Sequence, residues 1–339
     1  MSTPGAYQSR GALIFLNAFA AAAHVVSGSL GLALTQRGDP KVSTVASLVE
    51  FQTATQGSVF RPTPQVIFTT STLKPYVAVE FITAGFHLIY FSALLWRPFD
   101  ALLRRYVADT PSANPMRWVE YGITATIMGA FGSLNVGITS FYYFLKLVSS
   151  GVCLQLCGYI IELLDNENAR DRRLFKLVWT LGTLLNIFTV AIMLYQIFAS
   201  KTHQTVFYYN VVPFSLWFQT FGVVAQLAFN KWRQFADPLF AERWYIMLSL
   251  STKLAVFWLS FSTYRQIAEN NGFAAHTTSV NWTAVRFVAS YLPLSIVFVA
   301  AVIDAFSWSR RTRKTAFKAA VPGSRCGYTR RNRTTMYAL

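Results

Sequence analysis

The sequence predicts an all-α membrane protein: a seven-helix bundle, an eighth transmembrane helix after it, and a β-hairpin in the long loop between spans 1 and 2. Three observations lead there. Of the 339 residues, 53% are hydrophobic and only 13% are charged, against about 25% charged in an ordinary soluble domain. The charges are bunched, so Gly11–Gln36, Tyr121–Leu145, Leu177–Ser200 and Thr202–Asn230 contain none. Each run reaches the roughly 20 apolar residues that cross a bilayer, and none carries the polar stripe of a soluble helix.

Span 1 is read at 11–35. It is too long for a cleavable signal peptide and lacks the small-residue cleavage pattern. The connection 36–74 holds two stretches rich in Val, Thr, Ile and Phe, Val42–Phe51 and Gln65–Thr72, with Gly57 and Pro62 between them. That pattern suits a β-hairpin, and an exposed hairpin edge invites pairing with a second copy. Span 2 is read at 75–96. Its Glu80, Thr83 and His87 recur at helical spacing and share a face. Span 3, at 115–138, opens on Asn114 and Pro115, a cap followed by the first helical position. Spans 4, 5 and 6 are read at 142–164, 176–200 and 205–230. Span 7, at 244–267, is broken by one charge, Lys253, between Arg243 and Arg265. Span 8, at 287–307, contains Pro293 within its uncharged stretch. The domains are therefore a bundle over 1–268, an outer loop and eighth span over 269–307, and a basic tail over 308–339.

Most of the 30 Lys and Arg residues fall on one side of this arrangement. Arg10, Arg97, Arg104, Arg105, Arg117, the Arg170–Lys176 cluster, Lys231, Arg233, Arg243 and the tail lie together. Arg37, Lys41, Arg61, Lys74, Lys146, Lys201, Arg265 and Arg286 lie opposite. The positive-inside rule then puts the N-terminus and the tail in the cytoplasm and 36–74 outside. The +16 net charge is topological and gives no reason to expect nucleic-acid binding. The tail is a positive-inside anchor or a lipid-surface contact worth about 1 kcal/mol per charge. Cys153 and Cys157 are two thiols of one helix and Cys326 is in the tail, so no disulfide framework or metal spacing arises.

Ionisable residues inside a membrane mark functional sites. Lys253 sits mid-span, too deep to snorkel. It must find an anion, lose its proton or be covalently changed, and a buried lysine suits Schiff-base chemistry. Pairing with a buried carboxylate as a purely structural device is the alternative. Glu120 is the available partner, with Thr124 four residues on along the same face and Arg117 one turn before it, toward the cytoplasmic side. Such a pairing requires span 3 to start outside the hydrocarbon, with Arg117 in a wet pocket. His24 and His87, beside Glu80 and Thr83, suggest a small polar pocket that exchanges protons.

With these residues in view, the chain resembles a heliorhodopsin, a microbial-type rhodopsin. The Arg117-Trp118-Val119-Glu120-Tyr121 run is similar to the family's counterion segment, and Lys253 to its retinal-attachment lysine. Ser249 stands where ion pumps carry a second aspartate, and His24 and His87 fall where the family carries paired histidines. The resemblance covers about residues 10–268. It implies all-trans retinal held on Lys253 as a protonated Schiff base, Glu120 as counterion, Ser249, Thr83 and Thr124 nearby, and a slow photocycle. It further implies a homodimer, and a sensor or regulator acting on a signalling partner in the cytoplasm or membrane. Tyr209, Phe214, Trp217 and Phe218 of span 6 are candidate walls for the polyene, or ordinary packing. The eighth span and the inner basic tail depart from the family's layout.

Three functions compete. The first is a retinal photoreceptor. The second is a light-driven or light-gated ion transporter. It lacks a proton donor, since Phe131 stands where proton pumps keep a carboxylate and spans 5 and 6 contain no acid. The third is a retinal-free transporter or enzyme, without a nucleophile–base set or a metal cluster to support it.

Overall fold

The computed structural model describes residues 4–35, 41–54, 57–96, 114–135, 139–164, 167–199 and 219–270. These lie in one compact unit, Met1–Leu294; a second unit, Ser295–Leu339, falls outside the described residues. The predicted eighth span and the basic tail fall outside them as well, as do Tyr209, Phe214, Trp217 and Phe218.

Seven α-helices are present among the described residues. They are α1 (Pro4–Thr35), α2 (Lys74–Leu95), α3 (Pro115–Asn135), α4 (Phe141–Glu162), α5 (Ala169–Ala199), α6 (Gln219–Phe229) and α7 (Pro238–Asn270). Two strands, β1 (Lys41–Ala54) and β2 (Gly57–Ser71), stand between α1 and α2. Five of the helices, α1, α2, α4, α5 and α7, are long and apolar enough to cross a membrane. Their outward side chains, among them Phe15, Leu88, Leu156 and Phe188, are large, apolar and exposed. Such a surface is stable only against lipid.

Several helices begin before their apolar runs, because local caps extend them through charged residues. Asn168 accepts the Arg170 N–H through its side chain (2.9 Å), so α5 starts seven residues ahead of the predicted 176. Asp237 caps the Leu239 N–H at 3.0 Å, with Pro238 in the first helical position, so α7 starts at 238 rather than 244. Asn114 accepts the Arg117 N–H at 3.3 Å, which starts α3 where the sequence placed it.

The hairpin is longer and more tightly closed than predicted. Gly57 and Pro62 lie inside β2, not in a turn, and only residues 55 and 56 separate the strands. The strands pair antiparallel with Val49 opposite Pro62 and Ser47 opposite Pro64. In a two-stranded ribbon each strand keeps one free edge. Prolines two apart share one edge, so both can point their missing N–H away from the ladder. An irregularity between Thr44 and Val45 leaves Ile67 as the extra residue.

Neighbouring helices pack in chain order from α1 to α5, and α7 closes against α1, α2 and α3. One core joins α2, α3 and α7 through Tyr76, Val79, Met128, Phe257 and Phe261. A second joins α4, α5 and α6 through Ile161, Phe175, Val178 and Ala225. A third joins α1 and α7 through Leu13, Ala20, Ile246 and Leu250. The polar residues lie between these cores.

Candidate functional site

Lys253 is enclosed where α7 meets α2 and α3. Its ammonium donates to Glu120 Oε1 and, at 3.1 Å, to Thr83 Oγ1. The three groups are 4%, 2% and 0% exposed respectively. Charges of this depth persist only when paired and hydrogen-bonded. The Lys253 nitrogen also stands 5.2 Å from the centre of the Tyr121 ring. The structure thus brings Lys253, Glu120 and Thr83 into one contact set. Thr124 is beside them, but its hydroxyl donates to the Glu120 main-chain carbonyl at 2.8 Å and not to the carboxylate. Ser249 is one turn before Lys253 and is buried, with no hydrogen bond from its hydroxyl to the lysine.

On one side of Lys253 lies a polar cluster. His24 Nδ1 is 2.7 Å from Glu80 Oε2, and His87 Nδ1 is 2.9 Å from Asn17 Oδ1. The two imidazoles stack with centroids 5.9 Å apart and planes 6° from parallel. His24 Nε2 and His87 Nε2 are buried without a partner. Buried groups of this kind are usually satisfied by internal water. The helical spacing on α2 placed Glu80 and His87 on one face. Asn17 was not legible, because a neutral amide does not interrupt an apolar run.

On the other side lies a cavity of about 870 Å³, counting its open mouth. Its walls are mostly apolar: Trp118, Tyr121 and Met128 from α3, Cys157 and Gly158 from α4, Trp179 from α5, and Phe221 and Gly222 from α6. Lys253 closes one part of it, with the hydroxyls of Ser249 and Thr252. An apolar, aromatic-walled slot ending in an amine suits a long apolar aldehyde. The residues present are therefore compatible with retinal. The two indoles were not assigned as walls from sequence, since a tryptophan in an apolar span has no distinctive spacing.

A third assembly sits at the start of α3. Arg117, which the sequence placed in a wet pocket, is 4% exposed and clamped between Glu162 of α4 and Glu242 of α7. Its guanidinium carbon lies 4.0 Å from the centre of the Tyr245 ring. Asn114 donates to both carboxylates, by its N–H to Glu162 (3.2 Å) and by its amide to Glu242 (3.1 Å). Trp118 donates to Glu162 at 2.7 Å. Arg117 also lines a second cavity with Phe229, Phe235 and Tyr245. Among the described residues no group of three or more His, Cys, Asp or Glu could hold a metal ion.

Seven helices around a buried lysine–carboxylate pair define a rhodopsin-type membrane protein. The profile of the Heliorhodopsin family matches residues 13–264, and the chain belongs to that family. The match ends before the predicted eighth span. A crystal structure titled thermophilic rhodopsin is similar in fold, with a TM-score of 0.53 at 14% identity over 78% of this chain and 97% of that one. No curated protein matches the chain. The protein is an integral membrane rhodopsin, and the cofactor of its class is retinal.

Proposed function

We propose that this protein is a light sensor that holds all-trans retinal on Lys253 and does not pump ions. The observation that carries the reading is the Lys253–Glu120 pair at the edge of an apolar, aromatic-walled cavity. When bound, retinal supplies visible absorbance and a light-driven change of shape. Glu120 provides the negative charge beside the attachment nitrogen. Thr83 fixes the direction of the lysine side chain through its 3.1 Å bond. Trp118 and Tyr121 exclude water from the apolar side. On the polar side, His24 Nε2 and His87 Nε2 lack partners and can accept a proton that leaves the attachment site.

The proton stays within the protein on this reading. Phe131, where a pump would keep its donor carboxylate, packs edge-on against Phe144 at 5.6 Å. A slow, electrically quiet cycle follows, suited to biasing a partner's conformation. The sensor works as a homodimer beside a membrane or cytoplasmic partner. Its N-terminus and basic tail are cytoplasmic and the 36–74 hairpin is outside. Within this layout residues 1–268 form the retinal bundle and 287–307 cross once more. The alternative is light-gated proton conduction, favoured by the buried His24–Glu80 pair.

Replacing Lys253 by alanine tests the reading. The variant should reach the membrane and show no visible absorbance after retinal is added. Retained colour would overturn it.

A further inference from the structure

The cavity that starts at Lys253 does not end in an apolar wall. Two carboxamides line it, Gln155 of α4 and Asn186 of α5. Gln155 is one turn before Gly158 on α4, and Asn186 is one turn after Gly182 on α5. Because α4 ends at Glu162 and α5 begins at Ala169, both steps lead away from the connection between them. The two amides therefore stand at a common depth. A second, mostly apolar hollow opens there, with Thr126, Ser150 and Thr189 among its lining residues. It shares Ala125, Leu154, Gln155 and Asn186 with the first, whereas Lys253 lines the first alone.

Gln155 is 8% exposed, and among the described residues neither amide makes a side-chain hydrogen bond. Each carries two donors and an acceptor. Asn186 is half-buried, and both amides reach the cavity with their hydrogen-bonding capacity unused by the protein. A plain hydrocarbon ring seated against them would satisfy neither. A ring bearing a hydroxyl or keto oxygen would satisfy at least one.

We infer that the end of the cavity remote from Lys253 selects a retinal whose ring carries an oxygen, with Gln155 and Asn186 as the specificity-determining residues. The inference rests on the reading of Lys253 as the attachment site. One hydrogen bond between neutral groups is expected to favour the oxygenated ligand about tenfold.

The test is a competition. Equal amounts of all-trans retinal and a ring-hydroxylated all-trans retinal are added to membranes containing the full-length chain. The pigment is purified and the bound retinoids are extracted and quantified. About a tenfold excess of the hydroxylated form is expected. Gln155→Leu and Asn186→Leu should each reduce the excess toward equal uptake. Equal uptake by the natural chain overturns the inference, and does so whether or not the variants fold. A preference that survives both substitutions also overturns it. Binding of neither retinoid overturns it together with the reading of Lys253, whereas equal uptake with full colour leaves that reading standing.

Discussion

The six-membered ring of Trp118 lies where a Cβ on Gly158 would have to be, so α3 and α4 approach as closely as they do because residue 158 has no side chain. The same indole lines the cavity at Lys253 and donates to Glu162 at 2.7 Å. One side chain thus touches both the cavity and the ion cluster at the start of α3.

Gly158→Ala should push the indole toward the cavity and break its bond to Glu162. Overpacking of this kind costs about 1–3 kcal/mol. Lower thermal stability in detergent and a shifted or weakened visible band are expected. A second change, Trp118→Phe, should restore part of the stability in the Gly158→Ala background. An unaltered melting temperature and spectrum in the single variant would show that the indole moves freely.

Glu120→Gln removes the anion beside Lys253. Positive charge at the attachment nitrogen then spreads further along the polyene, so absorbance should move to longer wavelength at neutral pH. An unchanged spectrum would move the counterion role to Glu80, the next carboxylate in the cluster.

Arg117→Gln leaves Glu162 and Glu242 facing one another without a cation. Breaking a buried ion network by removing one partner costs about 3–5 kcal/mol. Thermal unfolding should show a loss of that order. Arg117→Lys should recover only part of it, because an ammonium cannot fork between two carboxylates as a guanidinium does.

Cells expressing the protein should show no sustained pH change and little steady photocurrent under light. The buried, unpartnered Nε2 atoms of His24 and His87 offer places for a proton to wait. A stationary, voltage-dependent current that disappears with Lys253→Ala would favour conduction.

The sequence made the lysine and its carboxylate legible because a charge inside an apolar span is rare and needs an explanation. It also made Glu80, Thr83 and His87 legible through helical spacing. The Arg117 cluster was not legible as a unit. Glu162 and Glu242 stand at the end of one predicted span and before the start of another, where charges are ordinary, and the contacts bridge 45 and 125 positions in the chain. Gln155 and Asn186 were hidden for a different reason: uncharged amides leave the apolar pattern intact. The hairpin was found but its turn misplaced, because Gly57 and Pro62 are turn formers in most settings and an open ribbon tolerates them.

The helix α3 has a consequence for how the protein is made. It is long enough to cross a bilayer, is not among the five described helices apolar enough to do so, and carries Arg117 and Glu120. The partners of those two charges, Glu162, Glu242 and Lys253, are all synthesised after it. Stable insertion of α3 is therefore expected only once α4 and then α7 have emerged to neutralise it. A chain truncated before Pro238 should leave α3 extractable from the membrane by alkaline wash, while α1 and α2 remain embedded.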